Sequence, residues 1–208
     1  SKADLTFASI PYAVLPAFQK PVYDAIRTED AAFYSGLTDS GFMLDFEDDD
    51  TGLFMKYLRR GSGYYIDVGA SQLIIDGKIK LKSGSDVSHL TETSVVLQDG
   101  TELPADLVIY ATGYGSMNGW AADLISQDVA DKVDKCWGLG SGTTKDPGPW
   151  EGELRNMWKP AQQEALWFHG GNLHQARHYS QFLSLQLKAR QAGLAIPVYG
   201  LPAVNHLK

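Results

Sequence analysis

The chain has 208 residues, 44% of them hydrophobic and 21% charged, and a formal net charge of −7. That is enough apolar material for one good core or two small ones in an ordinary globular composition. No basic cluster is present, so neither nucleic acid nor an anionic membrane is an expected partner.

Several further classes drop out. No apolar run approaches the ~20 residues of a membrane span, and the opening Ser1-Lys2-Ala3-Asp4-Leu5 lacks the apolar core of a signal peptide. Cys136 is the single cysteine, which excludes an internal disulfide and a C-x-x-C dithiol. It reads as a small buried apolar residue beside Trp137, and the composition fits a reducing, cytoplasmic compartment. The acidic run Asp45-Phe46-Glu47-Asp48-Asp49-Asp50 reads as a solvated loop.

In chain order, residues 1–60 read as helical and irregular. Pro11 and Pro16 interrupt any long helix, and Pro21 suits a helix start leading to about Tyr34. A second helix is expected over residues 51–59, ended by Gly61-Ser62-Gly63. The periodicity then changes. Residues 77–82 alternate, residues 86–90 and 94–97 follow as strands, and Asp99-Gly100 is a tight-turn signal, so a short antiparallel meander is expected. Residues 107–111, Leu-Val-Ile-Tyr-Ala, form a continuous apolar run ending in Thr112-Gly113. That is the pattern of a parallel strand buried on both faces. Residues 119–133 suit one amphipathic helix, and residues 138–152 are a Gly- and Pro-rich loop. Residues 165–169 read as a second buried strand, and a last helix spans about 174–191 with Gly193 as its cap. The tail, with Pro197 and Pro202, is irregular.

Two strand-to-loop junctions emerge, at residues 107–114 and 168–179. In open α/β sheets ligands sit beyond the carboxyl ends of strands. Gly113 and the pair Gly170-Gly171 permit close approach of a backbone or a ligand. The helix after Asn172 offers unpaired N–H groups and partial positive charge, suited to an electron-rich group. Asn172 is equally a good helix cap. Thr112 and Gly113 are equally a strand end that needs small residues. Arg177 suits either an anionic ligand or a buried salt bridge. His174 and His178 have metal-ligand spacing but no third ligand in a recognisable motif, so no metal is expected. Trp158 and Trp167 read as core aromatics. No catalytic constellation is legible.

The same residues carry a resemblance. The stretch from Asp99-Gly100 through Ala105-Asp106-Leu107-Val108-Ile109-Tyr110-Ala111-Thr112-Gly113-Tyr114 resembles the "DG…ADLVIxATGY" segment of flavin-containing monooxygenases. Leu154-Arg155-Asn156-Met157-Trp158-Lys159-Pro160 is similar to a segment of their bacterial and fungal, YUCCA-like branch. So is Phe168-His169-Gly170-Gly171-Asn172-Leu173-His174-Gln175-Ala176-Arg177-His178-Tyr179-Ser180. The resemblance spans roughly residues 78–200 and weakens over residues 1–77.

That family carries two G-x-G-x-x-G fingerprints, for FAD and NADPH, and this chain has neither. Gly61-Ser62-Gly63 continues Tyr64-Tyr65-Ile66 without the third glycine and follows a helix rather than a strand. The resemblance therefore implies the carboxy-terminal part of an α/β two-dinucleotide-binding-domain flavoprotein, with Rossmann-like sheets and an antiparallel meander. Residues 1–111 would be the later part of the NADPH domain and residues 112–208 the returning part of the FAD domain. Thr112, Gly113, Tyr114, Gly171, Asn172 and Gln175 would line the cofactors. The parent would use FAD and NADPH to oxygenate a small organic substrate. The chain alone would keep neither cofactor. The missing amino-terminal portion, or a second chain, would cover its sheet edges. Two alternatives stay open: a related pyridine-nucleotide flavoprotein reductase, and a non-catalytic α/β interaction domain.

Overall fold

The computed structural model describes residues 2–61, 66–113, 115–138 and 154–198. In chain order come α1 (Lys2–Ala8), a 3-10 turn (Tyr12–Val14), α2 (Leu15–Glu29), α3 (Ala31–Asp39), α4 (Gly52–Arg60) and α5 (Ala70–Ile75). The strands β1 (Val87–Leu90), β2 (Ser94–Leu97) and β3 (Glu102–Pro104) follow, then α6 (Asn118–Leu124), α7 (Gln127–Val133) and α8 (Leu173–Gln191). The chain is thus mixed helix and strand. It divides into two compact units, and α2 runs from the first into the second.

The first unit comprises residues 2–22, 46–61, 115–138 and 154–198 among those described. Its core joins Leu15, Met55, Leu58, Val133, Leu154, Met157, Trp158 and Phe168. Each such side chain contributes about 1.5–3 kcal/mol through burial. The helix expected to begin at Pro21 begins at Leu15, with Pro16 in the first turn, where a missing N–H costs nothing. Pro21 lies inside that helix. The single helix expected over residues 119–133 is two. The break falls at Ser126, whose hydroxyl accepts from Val129 N–H at 3.3 Å and restarts the chain as α7. The strand expected over residues 165–169 reduces to two bridging residues. Trp167 pairs antiparallel with Pro160, and Phe168 pairs parallel with Met157.

The second unit comprises residues 23–45 and 66–113 among those described. Gly36 of α3 lets Ile75 of α5 pack closely; a Cβ there would meet the isoleucine at 3.2 Å. The sheet is an antiparallel meander in the order β1-β2-β3, with a bulge between Val87 and His89. The turn at Gly100 (φ 82°) is closed by Asp99 Oδ1, which accepts from Thr101 N–H at 2.9 Å. Glu102–Pro104 joins the meander as its last strand, and the alternating residues 77–82, expected as its first, form none. Those residues are exposed, and alternation makes a strand only where one face finds a surface to cover.

The largest departure is at residues 107–111, which form no strand. Leu107 is 77% and Ile109 78% exposed. Among the described residues, no backbone or side-chain hydrogen bond reaches residues 106–113. A continuous apolar run becomes a central strand only when neighbours pair both its edges and cover both its faces. The described residues supply no such neighbour.

The loop expected over residues 138–152 and the tail with Pro202 lie almost wholly outside the described residues, as do Ser62 and Gly63. Among the described residues no helix is long and apolar enough to cross a membrane.

Candidate functional site

The start of α8 is the best-defined polar arrangement of the first unit. Asn172 adopts an extended conformation, and its Oδ1 accepts from Gln175 N–H at 3.0 Å. The Gln175 side chain returns to the Asn172 N–H, completing a capping box. Gln175 is only 2% exposed. Its Oε1 also accepts from the Tyr57 hydroxyl at 2.9 Å, and its Nε2 donates to the Tyr12 hydroxyl at 3.4 Å. The Tyr57 oxygen in turn accepts from Asn172 N–H at 2.9 Å. Burial, reinforced by the neighbouring Tyr179 hydroxyl, holds Tyr12 well above the ordinary phenol range, so it stays a neutral partner.

Aromatic rings brace this arrangement. Tyr57 and Trp137 lie 5.0 Å apart, Trp137 meets Trp158 edge-on at 6.1 Å, and Trp158 stacks on Tyr179 at 4.4 Å. Trp137 Nε1 donates to the Tyr57 carbonyl at 2.7 Å. That carbonyl also accepts from Gly61 N–H, which closes α4 in the left-handed region (φ 64°). Trp137 (φ 74°), Asn156 (φ 57°) and Trp158 (φ 57°) all hold left-handed backbones. Such conformations cost of order 1 kcal/mol each and persist only when the surroundings fix them. Here Trp137 N–H donates to Arg155 O at 2.8 Å, Trp158 N–H to Phe168 O at 2.9 Å, and Asn156 Nδ2 to Val133 O at 3.0 Å.

Of the residues expected to line a cofactor, Gly171, Asn172 and Gln175 come together at this helix start. Gly171 has φ 86°, and a Cβ on it would meet Gln175 Oε1 at 3.0 Å and Trp137 at 3.2 Å. Its lack of a side chain therefore serves the chain's own packing. Thr112 and Gly113 are exposed, irregular residues of the second unit, and Tyr114 lies outside the described residues. Arg177 pairs with the buried carboxylate of Asp4, its Nε donating at 2.9 Å. His178 lies edge-on to Tyr179 and Phe182, and among the described residues no group of three or more metal-binding side chains gathers. Burial pushes the Cys136 thiol up to about 12, against a lowering by the Asn156 amide, so it is no nucleophile at neutral pH.

Sequence reading missed Tyr12, Tyr57 and Trp137. They touch the α8 start from remote points in the chain, and nothing local marks them. Compared with known proteins, the chain matches no family model and no curated protein.

Proposed function

We propose that this chain is the carboxy-terminal part of an FAD- and NADPH-dependent monooxygenase that oxygenates a small organic substrate. The observation that carries the reading is the α8 start. Its cap is held rigidly, yet the N–H groups of Leu173 and His174 have no acceptor among the described residues. Two open amides at the positive end of a 19-residue helix suit the electron-rich pyrimidine edge of a flavin. The sequence resemblance over residues 168–180 supports the same placement.

When bound, FAD would supply the redox chemistry, with NADPH as the source of electrons. The chain's own residues would bind and orient. Asn172 Nδ2, which donates to no group among the described residues, would face the ring beside Gly171. Gln175 is engaged with Tyr57 and Asn172, so it would act as a positioning residue rather than a contact. Thr112 and Gly113 would meet the nucleotides at the end of the 107–111 run, once that run is paired as a strand. The described residues hold no glycine-rich pyrophosphate cradle, so the chain by itself should bind FAD weakly or not at all.

One observation favours a second reading, an interaction domain without catalysis: residues 107–111 are an exposed apolar run that, among the described residues, makes no hydrogen bond. The two readings separate in the parent protein. In the monooxygenase, Asn172→Ala displaces the flavin reduction potential and lowers turnover. An unchanged potential and turnover, with a lower melting temperature, would leave Asn172 as a cap alone and remove the flavin reading.

A further inference from the structure

We infer that His174 is an acid-sensitive latch that holds α1 against α8. The two helices pack on each other, and the 3-10 turn that follows α1 adds Tyr12 to the same face. Asp4, 3% exposed, accepts from Arg177, and Tyr179 Oη donates to Ala8 O at 2.9 Å. The Tyr12 and Tyr179 rings lie 6.4 Å apart, and Phe7 lies 5.9 Å from the His174 ring. His174 Nε2 is buried and, among the described residues, has no hydrogen-bond partner. A neutral imidazole leaves one lone pair unsatisfied there. A protonated one would bury a positive N–H with no acceptor, a far larger penalty.

The charged groups acting on His174 come from both packed helices. Arg177, on α8, opposes the cation, and Asp4, on α1, favours it. Asp4 is already engaged by the Arg177 guanidinium, with Nε and Nη2 both donating to the same oxygen. His174 also sits in the first turn of α8, where the helix dipole disfavours positive charge. His178, one turn further on, turns its ring to Tyr179 and Phe182 instead. Burial, the leading cause, therefore holds His174 below its ordinary value of 6.5.

The sign follows. A depressed base binds fewer protons docked than released, so docking is strongest above 6.5 and weakens as pH falls through that value and below. Each unit of separation between the two states corresponds to about a tenfold shift in the docking equilibrium. Release of α1 withdraws Asp4 and leaves the Arg177 guanidinium available to another anion beside the α8 start.

The test uses the full chain between about pH 8 and pH 5. Ring titration of His174 by NMR is compared with amide exchange of residues 5–8, corrected for the intrinsic pH dependence. Expected are a docked value below 6.5 and an exchange midpoint that coincides with the ring titration. His174→Phe, which keeps a ring against Phe7, should hold α1 docked across the range. A ring value at or above 6.5, separate midpoints in the wild-type chain, or the same acid response in His174→Phe would each overturn the latch.

Discussion

The hydroxyl of Tyr57 donates to Oε1 of Gln175 at 2.9 Å, joining the last turn of α4 to the first turn of α8. The same oxygen accepts from Asn172 N–H, so one phenol satisfies two groups of a buried helix start. Tyr57→Phe keeps the ring against Trp137 but leaves that N–H without its phenol acceptor and removes a donor from Gln175. The expected loss is about 1–3 kcal/mol. A denaturant melt with unchanged slope and a lower midpoint checks it.

Asn172→Ala in the isolated chain removes the acceptor of the Gln175 N–H and half of the capping box. A loss of about 1 kcal/mol is expected, without change in the far-ultraviolet spectrum beyond fraying of α8. Full retention of thermal stability would show that Tyr57 and Gln175 suffice to start the helix.

Asp49 gives the acid dependence. Both its oxygens accept from Arg59, at 2.9 and 2.6 Å, and this pairing, more than the Thr51 hydroxyl, holds its carboxyl well below the usual range. A depressed carboxyl contributes stability that is complete above its unfolded value and is lost as pH falls through and below the ordinary carboxylate range. Asp49→Asn should therefore lower stability at neutral pH and flatten the acid limb of the stability curve. The effect should be modest, because the Asp49 side chain is 43% exposed. Parallel acid limbs in the two proteins would contradict it.

Cys136 should be slow toward disulfide reagents. Its thiol is buried and held up at about 12, so the thiolate is scarce at neutral pH. Colorimetric thiol titration of the folded chain should proceed far more slowly than after unfolding in guanidinium. Equal rates would mean that the first unit opens readily around it.

Residues 107–111 distinguish the chain alone from the proposed parent. Leu107→Lys with Ile109→Lys should change the isolated chain's stability by less than about 0.5 kcal/mol per site, since both side chains are exposed. Self-association seen by sedimentation should fall at the same time. In a parent that pairs this run as a central strand, the same changes should prevent folding. A large loss of stability in the isolated chain would mean that the run is already covered.

Local signals were the legible ones. Asn172 as a cap, Gly193 beyond the last helix and the Asp99-Gly100 turn all rest on neighbours within a few residues, and each stands where the sequence puts it. The strand reading of residues 107–111 depended on partners that hydrophobic periodicity does not reveal. At the candidate site, Gly171, Asn172 and Gln175 were readable because a helix start has its own grammar. Tyr57 and Tyr12 were not, since they reach Gln175 across 118 and 163 positions of chain.

Those long separations also order events in time. The first unit is assembled from stretches at both ends of the described chain, and α1 packs against α8. The second unit is complete by residue 114. On a ribosome, the meander and α3 therefore emerge and can close while the Trp158–Tyr179 stack is still unmade. Until the last helix arrives, Asp4 lacks Arg177 and both Tyr12 and Tyr57 lack Gln175, and closing so wide a loop is the slow step expected of this fold.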